Sequence, residues 1–300
     1  METESQKPKE HPSTYFVQDR SNEEELARLR IQDQLITKGM GGVLPEQEDL
    51  SHFQHVLDVG CGTGAWLITL AQQLPNTMML VGVDVSLRMV QYARSQAEAA
   101  GVADRVEFRV MDALRMLEFP RHSFDLVNQR MGWSYLRTWE WPGLLQEYRR
   151  VTRPGGIIRI TENDVSVSDM PTSQLLYGLI IAAFERAGHV FFPGERDGVT
   201  RALEPTMHQA QLLNLQTRSH VLEYRAGTLE GQAYAEDMKH LFRTALPFLR
   251  KWTQVPHDYE HLYQQMLQEM QQPDFVATLH LLTCWGINPH TTYKPVFDPH

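Results

Sequence analysis

Apolar positions along the chain follow two rhythms. From residue 55 to about 162, short apolar runs alternate with stretches whose apolar residues recur every three or four positions. That is the pattern of strand–helix–strand units, and so of a parallel sheet. Residues 56–59 predict the first strand, and Leu67, Leu70, Ala71 and Leu74 the inward stripe of the first helix. A second strand over 79–83 ends at Asp84. Ser86 then suits an N-cap for a helix with inner face Met89, Val90, Ala93 and Ala97, closed by Gly101. Further strands are expected at 106–110, ending at Asp112, at 124–128, and at 157–161 behind Pro154-Gly155-Gly156, with a helix over 144–151.

After Glu162 the rhythm lengthens. Helical spacing predicts helices over 173–187, 232–252 and 257–271, a sheet-packing helix over 203–215, and strands over 219–225 and 275–285. Ahead of the core, residues 22–36 predict a helix with Leu26, Leu29 and Leu35 or Ile36 inward, an acidic first turn (Glu23, Glu24, Glu25), and a flexible stop at Gly39-Met40-Gly41-Gly42. The expected architecture is α/β: one sheet whose later crossovers carry helical insertions above the strand ends. The boundaries read as a disordered tail over 1–14, lid helices over 15–45, the alternating strand–helix core over 46–165, and the rest of the sheet over 166–300. The lid insertions of that last part fall near 170–190 and 230–272.

Charge and composition remove several classes. The 300 residues carry 28 Lys plus Arg against 37 Asp plus Glu, a net charge of -9, the wrong sign for gripping a phosphate backbone. Only Cys61 and Cys284 are present, far apart and without partners at metal-ligand spacing, so no disulfide framework and no metal site is expected. A reducing, cytoplasmic setting fits. The polar start lacks an apolar leader core, and the longest apolar run, LLYGLIIAAF, falls well short of the ~20 residues that cross a bilayer, so no membrane association is expected.

The chemistry concentrates at Asp58-Val59-Gly60-Cys61-Gly62-Thr63-Gly64, between a strand and a helix. Glycines there allow a tight turn and close ligand approach while helix N-terminal amides face the ligand. A tight turn alone is the ordinary alternative. A dinucleotide loop is another, since Asp84 stands twenty residues after Gly64, but its spacing is G-x-G-x-x-G and here it is G-x-G-x-G.

VLDVGCGTG resembles the first motif of the class I S-adenosylmethionine-dependent methyltransferases, in their small-molecule, UbiE-like branch, and later landmarks follow in order. The resemblance implies a Rossmann-like fold with a mainly parallel seven-stranded sheet and helices on both faces. It also implies S-adenosylmethionine as cofactor, with S-adenosylhomocysteine as its product. Asp84, with Val85 beside it, matches the acid that accepts both ribose hydroxyls. Met111, Asp112 and Ala113 match the adenine contacts. Asp58, Gly60, Cys61, Gly62 and Gly64 form the loop, and Asn128 with Arg130 lies on the fourth strand near the sulfonium end. Tyr15, the acidic run at Glu23 and Arg28-Leu29 resemble a lead-in found in relatives of fungal secondary-metabolism regulators. There Tyr15 and Arg28 would cover the cofactor, with Arg28 or Arg130 meeting its carboxylate; a solvated charge is the alternative for each arginine.

The reaction implied is methyl transfer to a small-molecule acceptor by in-line displacement. The alternative is a protein of this fold that binds the cofactor and regulates without turnover. Glu162, Asp164 and His189 are base candidates near strand ends, although thirteen histidines are scattered along the chain. Trp133, Tyr135, Trp139, Phe191 and Phe192 are acceptor-site candidates, with loop packing the ordinary alternative. Two departures from the family stand out. Gln211 occupies a position where relatives have glycine, and FDLVNQR lacks the Asn-Pro-Pro-aromatic motif of DNA amino-methylation. A monomer or homodimer acting on a small molecule, with no nucleic-acid partner, is expected.

Overall fold

Helix α1 (Glu23–Met40) precedes a sheet whose first five strands pair in parallel in the order β3-β2-β1-β4-β5. The strands are β1 (His55–Val59), β2 (Met79–Asp84), β3 (Val106–Val110), β4 (Phe124–Arg130) and β5 (Thr152–Asn163), and the crossovers are α2 (Ala65–Gln73), α3 (Leu87–Ala99) and α4 (Trp141–Val151). The computed structural model describes residues 15–17, 23–74, 79–194 and 198–289; the tail expected over 1–14 lies outside them. Helices cover both faces, so β1 and β2 read as continuous apolar runs and are buried along nearly their whole length.

The second half supplies β6 (Val167–Ser168), α5 (Pro171–Ala187), α6 (Val199–Gln209), β7 (Leu213–Arg225), α7 (Leu229–Thr244), α8 (Leu246–Trp252), α9 (Tyr259–Glu269) and β8 (Val276–Ile287). Strand β8 inserts antiparallel between β5 and β7, which makes seven long strands; the two-residue β6, absent from the sequence reading, pairs with β8. No helix among the described residues is long and apolar enough to cross a membrane.

Local chemistry sets the boundaries. Ser86 caps α3 by accepting from the Met89 amide at 3.4 Å, and the residues that α3 buries are Met89, Val90, Ala93 and Ala97. The helix expected over 232–252 is two, broken at Ala245 with Pro247 in the first turn of α8, where its missing N–H is harmless. In α1 the fully buried residues are Glu25, Arg28, Leu35, Ile36 and Met40; Leu29 lines the cavity beneath the helix and Leu26 is half-buried, so two charges join the expected apolar face.

The helix expected over 203–215 stops at Gln209. Gln211 reverses the chain with φ of 60°, its amide on the His208 carbonyl at 2.8 Å, and β7 begins at Leu213. A helix C-terminus closed in this way favours glycine, because a Cβ in the left-handed region crowds the backbone. Gln211→Gly is therefore expected to stabilise the fold by about 0.5–1 kcal/mol and raise the unfolding midpoint by about 1–3 °C. Scanning calorimetry checks it, and a lower midpoint would show the turn to be unstrained.

Candidate active site

The strand order reverses between β1 and β4, and at such a point an open parallel sheet leaves a crevice beyond its strand ends. A cavity of about 250 Å³ lies there. Its outer end is walled by the turn after β1 (Gly60, Gly62), the end of β2 (Asp84, Val85) and the segment after β3 (Met111, Asp112, Ala113). It continues past Arg130, Trp133 and Tyr135 into a chamber roofed by residues 15–17, α1, α5 and α7.

The three glycines of the turn do different work. A Cβ on Gly60 would sit 2.6 Å from the Tyr135 hydroxyl, and one on Gly64 2.6 Å from Phe108 and 2.8 Å from Ala93. A Cβ on Gly62 would meet nothing within 4 Å, and its φ of 51° is what calls for glycine. Gly64 is thus a packing residue and does not line the cavity. The Asp84 carboxylate is fixed by this turn, accepting from the Gly62 amide at 3.0 Å and from the Ser86 amide at 2.8 Å. Asp112 accepts from the Leu114 amide at 3.0 Å. Two acids with fixed orientation therefore face one cavity.

The inner roof carries charge. Arg28, 2% exposed, donates through Nε and Nη2 to Glu25 at 2.8 Å each, through Nη2 to the Tyr15 hydroxyl at 2.9 Å and through Nη1 to Asp237 at 3.5 Å. Tyr15 donates to Glu25 at 2.5 Å. Arg28 and Tyr15 do line the cavity, but Arg28 is neither a solvated charge nor a free carboxylate clamp. Arg130 pairs with Asp33 of α1 and donates to Thr37 at 3.1 Å. Sequence reasoning missed Asp237, which lies in α7 and looks like any polar position of an amphipathic helix. Glu25 it read only as a helix-terminus charge.

Several expected residues are elsewhere. Asp58 is buried below the cavity and accepts from Asn128 at 2.7 Å; Asn128 in turn accepts from Arg159, which is paired with Glu46 at 2.5 Å. The register that pairs Asp58 with Asn128 and Asn128 with Arg159 puts this polar row across three strands. Burial pushes the Asp58 carboxyl up to about 7. Cys61 is also buried away from the cavity, and burial raises its thiol well above the ordinary range.

Glu162 and His189 do not reach the cavity either. Glu162 accepts from Gln129 at 3.1 Å, the Gly132 amide at 2.8 Å and the Trp133 amide at 3.2 Å, and burial pushes it up to about 8. His189, 1% exposed, meets the Trp133 carbonyl through Nδ1 at 2.8 Å, and burial lowers it to about 4. Both hold the Trp133 segment in place. Asp164 accepts from Thr200 at 2.5 Å, also off the cavity. Of the acceptor-site candidates, Trp133 and Tyr135 line the chamber. Trp139 does not: it is 62% exposed, lying over Gly188 and facing the Arg137 guanidinium. Phe191 packs on Trp141, and Phe192 lies under Arg201.

The model of the methyltransferase domain family matches residues 56–156. The chain is 28% identical over 274 residues to 27-O-demethylrifamycin SV methyltransferase of Amycolatopsis mediterranei, covering 90% of this chain and 85% of that one. It is 35% identical over 109 residues to demethylmenaquinone methyltransferase of Symbiobacterium thermophilum, covering 35% of this chain and 42% of that one. Among solved structures, phosphoethanolamine N-methyltransferase 2 of Haemonchus contortus in complex with S-adenosyl-L-methionine has the same fold. The TM-score is 0.56 at 19% identity, over 95% of this chain and 62% of that one. The glycine turn, the strand order and the matched family model agree that residues 56–156 form a methyltransferase domain, and over a longer span the chain is similar to named methyltransferases.

Proposed function

We propose that the protein transfers the methyl group of S-adenosylmethionine to a small-molecule acceptor by in-line displacement. The observation that carries this reading is the continuity of one cavity, from the paired acids at the strand ends to an aromatic chamber under the lid. The chain's residues fit the donor. Asp84, oriented by two amides, presents its carboxylate where ribose hydroxyls would lie; Asp112 and the backbone at Ala113 suit an adenine; Gly60 and Gly62 let the turn approach closely. S-adenosylmethionine supplies a methyl carbon activated by positive sulfur. What the protein contributes is alignment and exclusion of water, worth several kcal/mol of a displacement barrier.

Trp133 and Tyr135 form the chamber wall nearest the strand ends. Glu162 and His189 act on this wall as positioning residues, one taking the amides of Gly132 and Trp133, the other the Trp133 carbonyl. The 27-O-demethylrifamycin SV methyltransferase, named for a complex natural product, supports a secondary-metabolite acceptor for this chain as well.

Asp84→Ala is expected to weaken S-adenosylhomocysteine binding by more than about tenfold, since it removes charge-assisted hydrogen bonds. Titration calorimetry of wild type and variant, with circular dichroism to establish folding, decides it; an unchanged dissociation constant removes Asp84 from the ribose site. His189 gives a pH test. It titrates near 6.5 when unfolded and at about 4 when folded, so below pH 6.5 the unfolded state binds the extra proton. Its contribution is fully present above pH 6.5 and is lost as pH falls through 4, amounting to about 3 kcal/mol. Denaturant unfolding between pH 4 and 7.5 should show that part of the slope absent in His189→Gln; parallel profiles would place the histidine in water.

A further inference from the structure

The inner chamber combines aromatic walls with surplus negative charge. Tyr224 and Tyr234 stack at 4.6 Å, Trp133 and Phe184 lie 4.6 Å apart, and Phe248 closes on Phe184 at 5.0 Å. Among these rings stand Glu25, Arg28 and Asp237, whose formal charges sum to one negative. Glu25 is fully engaged: one oxygen accepts from Tyr15 and Arg28, the other from Arg28 and Thr244. Asp237 is different. It is 3% exposed and faces the cavity, yet among the described residues it accepts one hydrogen bond, from Arg28 at 3.5 Å, the outer limit of such a contact. A carboxylate has about four acceptor sites, so most of its capacity is directed at whatever enters the chamber.

We propose that Asp237 is the acceptor-recognition residue of this chamber, holding a protonated amine carried by a flat, largely apolar acceptor among the surrounding rings. The inference rests on the methyltransferase reading above and names the class of its substrate. An anionic acceptor would meet the surplus carboxylate, and the cations lining the cavity are already engaged, Arg28 forking onto Glu25 and Arg130 paired with Asp33. A neutral hydroxyl would fill one acceptor site and leave the buried charge uncompensated. A cation compensates the charge and is attracted by ring faces, as the Arg28 guanidinium already is, 5.6 Å from the Phe16 centroid. Burial pushes Asp237 up to about 7, and a cation at hydrogen-bond distance removes much of that penalty.

The test compares tryptamine with 3-propylindole, its neutral isostere, by titration into protein saturated with S-adenosylhomocysteine at pH 7.5. Tryptamine is expected to bind at least about tenfold tighter in the wild type, with the preference abolished in Asp237→Asn. Equal affinities, a preference for the neutral compound, binding of neither, or a preference retained in Asp237→Asn overturns the inference while the methyltransferase reading stands. Should Asp237→Asn fail to fold, the wild-type ratio alone decides. Absence of S-adenosylhomocysteine binding by the wild type strikes the methyltransferase reading, and this inference with it.

Discussion

A guanidinium does not shed its proton inside a protein, so burying Arg28 obliges the surroundings to bring negative charge into contact with it. Glu25, one turn earlier on α1, meets it with both oxygens, and Asp237 reaches it from α7. That compensation joins two helices more than two hundred residues apart in sequence and holds residues 15–17 against the chamber. Arg130 with Asp33 and Arg159 with Glu46 repeat the device, so three arginines fasten the lead-in segment to the sheet and the lid. Removing one partner of such a buried pair costs about 3–5 kcal/mol, which makes the cover of the cavity a cooperative part of the fold.

Core and lid are stabilised by different physics. The parallel sheet is held mainly by apolar strands between helices, with one buried polar row of Asp58, Asn128 and Arg159 crossing three of them, and its strand order sets the crevice. Over that crevice the lid combines an apolar cluster, with Phe16, Phe184 and Phe248 at its centre, with ionised groups held out of water. The aromatic surfaces exclude solvent, and the same exclusion strengthens each remaining electrostatic contact.

This division explains what the sequence disclosed. The stripe Met89, Val90, Ala93, Ala97 and the strand at 106–110 were legible because local periodicity decides them. So were Gly60, Gly62, Asp84 and Asp112 as neighbours, since the strand-end rule places them together before any side chain is seen. The inward face of α1 was legible only in its apolar part: Leu29, Leu35 and Ile36 do face inward, whereas Glu25 and Arg28 are buried because of Asp237 and Thr244, which no local pattern announces. Glu162 and His189 resembled catalytic groups because a titratable residue at a strand end looks the same whether it faces a ligand or a backbone amide. The end of α6 was overrun because Gln211 takes a left-handed conformation without the glycine that signals it.

The close approach of Gly60 and Tyr135 has an evolutionary corollary. The space that a Cβ would need at residue 60 is filled by the hydroxyl of a tyrosine seventy-five residues later, on a different crossover. Neither position is free to drift alone. A larger residue at 60 would need both a smaller one at 135 and a turn that tolerates a φ of 69°, and that exchange would reshape the chamber wall where donor end and chamber meet.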